Sequence, residues 1–341
     1  MTSLLRPLLL CLLLSSATAA APADAPLAPC LAGLRALALK DGVGAATWER
    51  YTAGLSADQS VLQAQEAQPE FVTPIWDYQA ALVDAERIAD GQRLLAEHAA
   101  TLRAIEAKYG VDPATVVAVW GVESDFGRVT GKRPLLTSLA TLSCAGRRQE
   151  YFRPELFAAL KILQAGDVQV EAMQGSWAGA FGQTQFMPST YLRLAVDFDR
   201  DGRRDLIDGV ADALASTANY LAQAGWKRGE RWGMEVRLPA RFDERRSGRR
   251  NKRTVAQWAR LGVTRADGRP LAGNDAPAAR DGALLLPAGA AGPALLVWQN
   301  YDALFSYNAS ESYALSIALL SDRLRGQPGW QAAWPTDDPG L

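Results

Sequence analysis

One carboxylate stands out because of the residues around it. Glu123 follows seven residues, 116–122, none of which carries a charge. Asp112 and Pro113 predict the start of a helix just before them, because Asp accepts hydrogen bonds from free N–H groups and Pro suits the first helical position. Valine and tryptophan side chains then surround the axis, which predicts that this helix is buried.

Burial would hold the carboxyl group of Glu123 in its protonated form near neutral pH, because low polarity disfavours the ionised form. A protonated carboxylic acid is what the cleavage of a glycosidic bond requires. Asp125 lies two residues further on and does not share the helical face of Glu123, so a mechanism with a single carboxylate fits the pattern. The alternative interpretation is a buried Glu with a structural partner and no catalytic role.

A second group of acids predicts a metal site. Residues 197–208, DFDRDGRRDLID, match the calcium-loop template D-x-D-x-D-G. The expected ligands in the order of the template are Asp197, Asp199, Asp201, the backbone carbonyl of Arg203, Asp205 and Asp208. The twelfth position holds Asp where the template has the longer Glu. The alternative is an acidic surface turn without a metal, although closely spaced carboxylates repel one another and a bound cation relieves that repulsion.

Composition excludes several classes of function. The 341 residues carry 36 Lys and Arg against 37 Asp and Glu, a net charge of −1, which argues against bulk attraction to nucleic acid or to an anionic membrane. His98 is the only histidine, so it is predicted to lie at the surface or to pack on a helix, and not to serve a catalytic triad. Phosphate-binding and dinucleotide motifs are absent from the sequence, and no organic cofactor is expected. The basic run 241–253, RFDERRSGRRNKR, is interpreted as a solvated loop.

The first residues predict export. Arg6 is followed by the apolar run 8–14 and by the small residues 17–19, which is typical of a cleavable signal peptide over residues 1–20. Neither Cys11 nor Cys30 lies in a lipoprotein acceptor site. We therefore expect a soluble protein of the periplasm.

Two cysteines, Cys30 and Cys144, remain after signal cleavage. In an oxidising compartment such a pair predicts one disulfide, which would act as a structural link. Two free, separately buried thiols are the competing interpretation.

The remaining pattern predicts a mainly α protein. Residues 28–110 give helical patterns, among them one amphipathic helix over 92–109. Short apolar runs within 233–300 predict a small β-containing insertion. Residues 301–325 end in an amphipathic helix, and the tail 326–341 is expected to be irregular.

Three blocks of sequence resemble a known family. They are WGVESDFGRVTGKRPLLTSLATLS (120–143), GSWAGAFGQTQFMPSTYLRLAVDFDRDGRRDLID (175–208) and YNASESYALSIALLSDRL (307–324), joined by residues 211–226. Together they resemble the soluble lytic murein transglycosylase B family, glycoside hydrolase family 103, of the lysozyme-like superfamily. The resemblance extends from about residue 30 to residue 325, in the family's order.

The resemblance implies a lysozyme-like catalytic core over 111–232, with the N-terminal helical region and the β-containing insertion added to it. It implies that Glu123 is the single catalytic acid and base. The substrate-binding residues that it implies are Ser176, Gln185, Phe186, Tyr220, Tyr307, Asn308 and Tyr313. The structural Ca²⁺ ligands that it implies are Asp197, Asp199, Asp201 and Arg203, with Asp208 and Asp212 competing for the last position.

The implied activity is cleavage of the β-1,4 bond between N-acetylmuramic acid and N-acetylglucosamine, with formation of a 1,6-anhydromuramoyl product. The implied partners are peptidoglycan glycan strands and proteins of wall synthesis or remodelling, and a monomer is expected. Two alternatives stay open: a muramidase that hydrolyses the same bond, and a non-catalytic scaffold that binds peptidoglycan.

Overall fold

The computed structural model describes residues 27–66 and 73–336. These residues form mostly helices with a small antiparallel sheet, which confirms the predicted mainly α class. The predicted signal peptide lies outside the described residues. Among the described helices, none has the length and apolar character needed to cross a membrane.

The helices of the described residues are numbered in chain order. They are α1 (Ala28–Lys40), α2 (Ala45–Thr52), α3 (Gln59–Glu66), α4 (Ile75–Leu82), α5 (Ala85–Glu97), α6 (Ala99–Tyr109), α7 (Pro113–Ser124), α8 (Leu135–Cys144), α9 (Gln149–Ala165), α10 (Pro188–Leu194), α11 (Val210–Gln223), α12 (Val255–Arg260), α13 (Gln299–Asn308) and α14 (Glu311–Leu324).

Helix α7 lies at the centre of one hydrophobic cluster. Asp112 caps it by accepting a hydrogen bond from the backbone N–H of Thr115 at 3.0 Å, and Pro113 occupies the first turn, as the sequence predicts. Residues 114–121 are all buried, because α5, α6, α11 and α14 pack around the helix. The helix is therefore shielded from water over most of its length.

A second hydrophobic cluster joins α1–α3 to α8, α9 and α10. Cys30 on α1 and Cys144 at the end of α8 form a disulfide, with their Cα atoms 5.8 Å apart. Apolar packing and a covalent bond thus hold the N-terminal helices against the chain that follows the central helix.

The predicted helix 92–109 is two helices in the structure. His98 ends α5 and begins α6, with φ −96° and ψ 17°, outside the helical range. Its ring packs edge-on against Trp120 of α7, with ring centroids 5.8 Å apart. The prediction of a helix-packing histidine is confirmed, while the prediction of one continuous helix is wrong. The sequence lacks a Pro or Gly at this kink, so its pattern did not indicate one.

Residues 233–297 contain a five-stranded antiparallel sheet. Its strands are β3 (Gly233–Arg237), β4 (Arg253–Thr254), β5 (Thr264–Arg265), β6 (Asp281–Leu285) and β7 (Ala294–Val297), arranged in the order β4-β6-β7-β3-β5. Met234 pairs with Leu296, and Leu284 pairs with Leu296 from the other side. A separate short ladder joins β1 (Arg133–Pro134) to β2 (Gln174–Gly175).

The tail is irregular over residues 326–336, the part of it that the structure describes. It nevertheless packs closely. Trp330 donates to the side-chain oxygen of Gln79 on α4, and the Trp334 ring lies 6.2 Å from that of Trp76. Glu235 of β3 accepts two backbone N–H groups of the tail. The tail therefore links the sheet to α4.

The disulfide gives a testable prediction about stability. It closes a loop of 114 residues, for which the chain-entropy model gives about 4–5 kcal/mol as an upper value. The double variant Cys30→Ala/Cys144→Ala is expected to melt at a lower temperature than the unmodified protein. Reduction with dithiothreitol should lower the Tm of the unmodified protein and leave that of the variant unchanged. Recovery of both cysteines as alkylated thiols without prior reduction would contradict this prediction.

Candidate active site

Glu123 lies in the last turn of α7, half-buried beneath the surface. Burial raises the pKa of its carboxyl group to about 8, against an opposing hydrogen bond that the Tyr313 hydroxyl donates to it. Because the first effect is larger, the protonated form predominates near neutral pH. The group can therefore donate a proton, as the sequence predicts for a buried Glu at this position.

Aromatic rings surround this carboxyl group on one side. The rings of Tyr313 and Tyr307 are stacked, with their centroids 6.3 Å apart, and the centroids of the Tyr307 and Tyr220 rings are 4.5 Å apart. The centroid of the Phe186 ring lies 5.9 Å from those of both Tyr220 and Tyr307. Phe186 and Tyr313 are buried, at 2% and 3% exposure, whereas Tyr220 and Tyr307 keep part of their surface open. The structure thus brings four predicted site residues together at Glu123.

The hydroxyl groups of this cluster are fixed by backbone carbonyls. Tyr307 donates to the carbonyl of Thr184 at 2.9 Å, and Tyr220 donates to the carbonyl of Ser306 at 2.7 Å. Burial raises the pKa of both Tyr307 and Tyr313 well above the usual range, and the nearby Glu123 adds to this effect. The hydroxyl groups of Tyr307 and Tyr313 are therefore neutral and can donate hydrogen bonds near neutral pH.

The three other predicted binding residues differ in their surroundings. Gln185, at φ 49°, donates from its side chain to the carbonyls of Thr130 and Gly182. Ser176 is half-buried and accepts the N–H of Ala180, and Asn308 is exposed at the end of α13. Among the described residues, no hydrogen bond or ring contact joins Ser176 or Asn308 to the cluster around Glu123.

The chain turns sharply after Glu123. Asp125, Phe126 and Gly127 all have positive φ, at 50°, 57° and 85°. The turn sends the Asp125 carboxylate to Arg128, whose Nε donates to it at 2.8 Å, and to Arg87 at 3.4 Å. The hydrogen bond from Arg128 lowers the pKa of Asp125. This second acid is thus ionised and engaged in ion pairs.

Gln183 is a structural residue that the sequence analysis missed. Its side-chain oxygen accepts from the indole N–H of Trp120 at 2.9 Å, and its side-chain nitrogen donates to the carbonyl of Ile207 at 2.9 Å. Its backbone carbonyl accepts from the hydroxyl of Ser124, next to Glu123. Gln183 therefore connects the helix of Glu123 to residues 197–208, the acidic loop. The available signal was its place two residues before Gln185 in the stretch GQTQF (182–186), which by itself does not separate the two glutamines.

The acidic loop joins α10 to α11. Carboxylate oxygens of Asp197, Asp199 and Asp212 lie within 4.8 Å of one another. One oxygen of Asp197 is buried and has no hydrogen-bond partner among the described residues. An oxygen without a partner, next to two further carboxylates, is what a hard cation with oxygen ligands requires, so the donor set fits Ca²⁺.

Asp212 lies in the first turn of α11 and is 1% exposed. Its oxygens accept the backbone N–H groups of Phe198 at 2.7 Å and of Asp205 at 2.8 Å. Asp201 and Asp208 are more exposed and lie outside the group of three. Asp201 instead pairs with the guanidinium of Arg203 at 3.3 Å. Of the two candidates for the last ligand, the structure thus places Asp212 beside Asp197 and Asp199.

Comparisons with known proteins agree with this arrangement. Residues 26–322 match the family model described as the transglycosylase SLT domain. Membrane-bound lytic murein transglycosylase B of Escherichia coli (strain K12) is 39% identical over 212 residues, which are 61% of this chain. The aligned region spans 56% of that protein's length.

Solved structures show the same fold. SltB3 from Pseudomonas aeruginosa, in complex with NAG-anhNAM-pentapeptide, is 45% identical with a TM-score of 0.87, covering 92% of this chain and 83% of that one. The Escherichia coli lytic transglycosylase Slt35, in complex with calcium, is 29% identical with a TM-score of 0.74, covering 88% and 93%. The predicted lysozyme-like fold is confirmed, and the chain belongs to the transglycosylase SLT family, within its lytic murein transglycosylase B branch.

Proposed function

We propose that this protein is a lytic transglycosylase that cleaves the β-1,4 bond between N-acetylmuramic acid and N-acetylglucosamine in peptidoglycan. The observation that carries the proposal is the carboxyl group of Glu123, which is bonded to Tyr313 beside a partly open aromatic cluster and whose pKa is raised by burial, so that it can donate a proton to a glycosidic oxygen. Two findings on relatives support it. One relative is a lytic murein transglycosylase by name, and SltB3 was solved with a fragment that contains an anhydromuramoyl sugar.

In this mechanism Glu123 acts twice. Its carboxyl group first donates a proton to the leaving glycosidic oxygen, and the bond from that oxygen to C1 of the muramoyl sugar breaks. The resulting carboxylate then accepts the proton of the muramoyl C6 hydroxyl as its oxygen bonds to C1. The products are a free 4-hydroxyl group and a 1,6-anhydro ring, and no water is consumed.

A single carboxylate suffices because the nucleophile belongs to the substrate. Enzymes that hydrolyse such bonds use a second carboxylate as nucleophile or base. Asp125 is the nearest acid in sequence, and its ion pairs with Arg128 and Arg87 direct it away from that task. Tyr313 holds the Glu123 carboxyl group in place and supports its ionised form in the second half of the reaction.

The partly open rings of Tyr220 and Tyr307 offer apolar faces for sugar rings, while Phe186 supports them from beneath. We propose that Ser176, Gln185 and Asn308 bind the acetamido and hydroxyl groups of the glycan. Glycan strands with peptides attached are the proposed partners, and the signal-like first residues support a place in the periplasm, with wall-synthesis or remodelling proteins nearby.

The first prediction concerns Glu123→Gln, which keeps the shape of the side chain but removes its transferable proton. Turnover on purified sacculi should fall at least ~100-fold, since general acid catalysis is typically worth 10²–10⁴, while glycan binding is retained.

Mass spectrometry of the products checks the reaction itself. Unmodified enzyme should release muropeptides lighter by one water than the hydrolysis products. Products that contain the added water would establish a muramidase, and glycan binding without any release would establish a scaffold.

The second prediction concerns pH. The acid step needs protonated Glu123, so kcat/KM should fall as the pH rises through about 8, where the carboxyl group loses its proton. The Tyr313 hydrogen bond favours the ionised form and lowers this pKa. Tyr313→Phe should therefore move the alkaline limb to higher pH, in addition to lowering activity. Tyr151→Phe, a change at an exposed tyrosine, serves as the control and should leave the profile unchanged. If the alkaline limb of the Tyr313→Phe variant stays at the pH of the unmodified enzyme, that limb belongs to a group other than Glu123.

We also propose a structural Ca²⁺ in the acidic loop. Asp197, Asp199 and Asp212 would hold it through their carboxylates, and the backbone carbonyl of Arg203 and the side chain of Asp201 would complete the shell. The Slt35 structure contains calcium, which supports this assignment by similarity. The cation would offset the mutual repulsion of the acids and fix the loop to which Gln183 is bonded.

The third prediction tests this metal site by thermal unfolding. Ligand binding to the folded state raises stability by about 2.7 kcal/mol at a hundredfold excess over Kd, so Ca²⁺ should raise the Tm of the unmodified protein relative to a chelator. Asp212→Asn should abolish the difference between the two conditions. Asp208→Asn removes an exposed acid of the same loop and should retain it. Loss of the difference in Asp208→Asn, with retention in Asp212→Asn, would reverse the assignment of the last ligand.

A further inference from the structure

The basic run 241–253 is not an evenly solvated loop. This basic segment holds seven Arg and Lys residues against two acids, in a protein with a net charge of −1. Part of it borders a surface concavity of about 560 Å³. Five cationic side chains line the concavity, with a single carboxylate: Arg245, Arg246, Arg250, Lys252 and Arg253, with Asp243. Positive charge is therefore concentrated at one place on the surface.

Internal ion pairs leave much of this charge uncompensated. Asp243 is shared by Arg245 at 2.9 Å and Arg246 at 3.5 Å. Arg250 is exposed and has no ion-pair partner among the described residues, and the Nε of Arg253 is buried without a hydrogen-bond partner there. Elsewhere in the insertion, Arg265 is matched by Asp275 in a two-bond pair. The concavity thus has donors free for an external anion.

The basic segment is anchored to the helix that carries part of the candidate active site. Lys252 and Arg249 both bond to Asp302 of α13, at 2.6 and 3.2 Å, and the Arg249 guanidinium lies 4.0 Å above the ring of Phe305. Asp302 precedes Tyr307 by five residues on α13, which is about 7–8 Å of helix. The basic segment is therefore bonded to the same helix that carries Tyr307 near its C-terminal end.

We propose that this concavity binds the carboxylates of a peptidoglycan stem peptide while its glycan strand lies at Glu123, an inference that rests on the proposed function. A stem peptide is short, carries several carboxylates and is attached to the muramoyl sugar whose bond is broken. Arginine side chains bind carboxylates through paired hydrogen bonds. An anionic membrane fits less well, because the exposed large apolar side chains of the described residues (Leu37, Val129 and Tyr151) lie outside the basic segment.

The test compares two substrates and two variants. Arg246→Gln/Arg250→Gln removes two charges from the concavity and spares the anchors to Asp302. Lys40→Gln/Arg103→Gln removes two charges from exposed positions on α1 and α6 and serves as the matched control. The substrates are glycan strands with stem peptides and the same strands after amidase treatment. Two weak charge-assisted contacts predict a rise in KM of roughly three- to tenfold for the first variant on peptide-bearing strands.

With that variant, kcat on peptide-bearing strands and both constants on peptide-free strands should stay unchanged, and the KM difference should shrink in high salt. The control should match the unmodified enzyme on both substrates. An equal rise in KM on both kinds of strand, or no change on either, would overturn the proposal. Loss of binding to phosphatidylglycerol vesicles, with KM on peptide-bearing strands unaffected, would replace the stem peptide by a lipid surface.

A binding measurement separates this proposal from the proposed function. A synthetic stem pentapeptide, titrated into the full chain and followed by NMR, should bind more weakly to Arg246→Gln/Arg250→Gln than to the unmodified protein. The same peptide with its carboxyl groups amidated should bind neither the variant nor the unmodified protein. If the unmodified enzyme released no anhydro product but bound the pentapeptide through these arginines, the proposed function would fail and the binding site would stand. Equal binding of the amidated and free peptides would refute the site alone.

Discussion

Much of this structure depends on the surroundings of one carboxyl group, that of Glu123, which lies at the end of an apolar helix and is held in its neutral form. A charge at Glu123 would be costly where α7 is enclosed by four other helices, so the group holds its proton to about pH 8. The enclosure in turn demands close packing. Gly121 is an example, because a Cβ there would lie 2.8 Å from the Phe126 ring. The same ring sits where the chain turns with positive φ directly after the helix, so packing and turn geometry are coupled.

The acidic loop depends on the same helix. Gln183 bonds to Trp120 on one side and to Ile207 on the other, and its N–H donates to the carbonyl of Leu206 at 2.7 Å. A buried residue that makes two hydrogen bonds through its side-chain amide and a third through its backbone N–H is costly to displace, because each lost bond would leave a desolvated group. A shift of the acidic loop would therefore also displace α7, because Gln183 is bonded to both. The proposed Ca²⁺ would therefore stabilise the position of Glu123 through Gln183, without contacting the substrate.

The sequence predicted the features that depend on local chemistry. Asp112 and Pro113 mark the start of α7, and the apolar runs predicted within 233–300 include strands β6 and β7. It could not predict features set by tertiary contacts. The kink at His98 follows no local breaker, the packing of the tail on Trp76 and Gln79 involves residues some 250 positions apart, and the two glutamines 183 and 185 differ only in what surrounds them. The choice between Asp208 and Asp212 likewise depends on how far α11 enters the core.

The distribution of charge follows from the central carboxyl group. A cation close to Glu123 would favour its ionised form and lower the pKa on which proton donation rests. The chain instead keeps residues 116–122 uncharged and directs Arg128 to Asp125 and Asp90. A cluster of cations lies on the β-containing insertion, where Asp302 of α13 pairs with Arg249 and Lys252. Solvent and salt screen charges beyond about 8 Å at physiological ionic strength. The pKa of Glu123 is accordingly set by burial and the Tyr313 hydrogen bond, with no cation among its causes, so the proposed binding of anions by the basic segment leaves the central acid protonated.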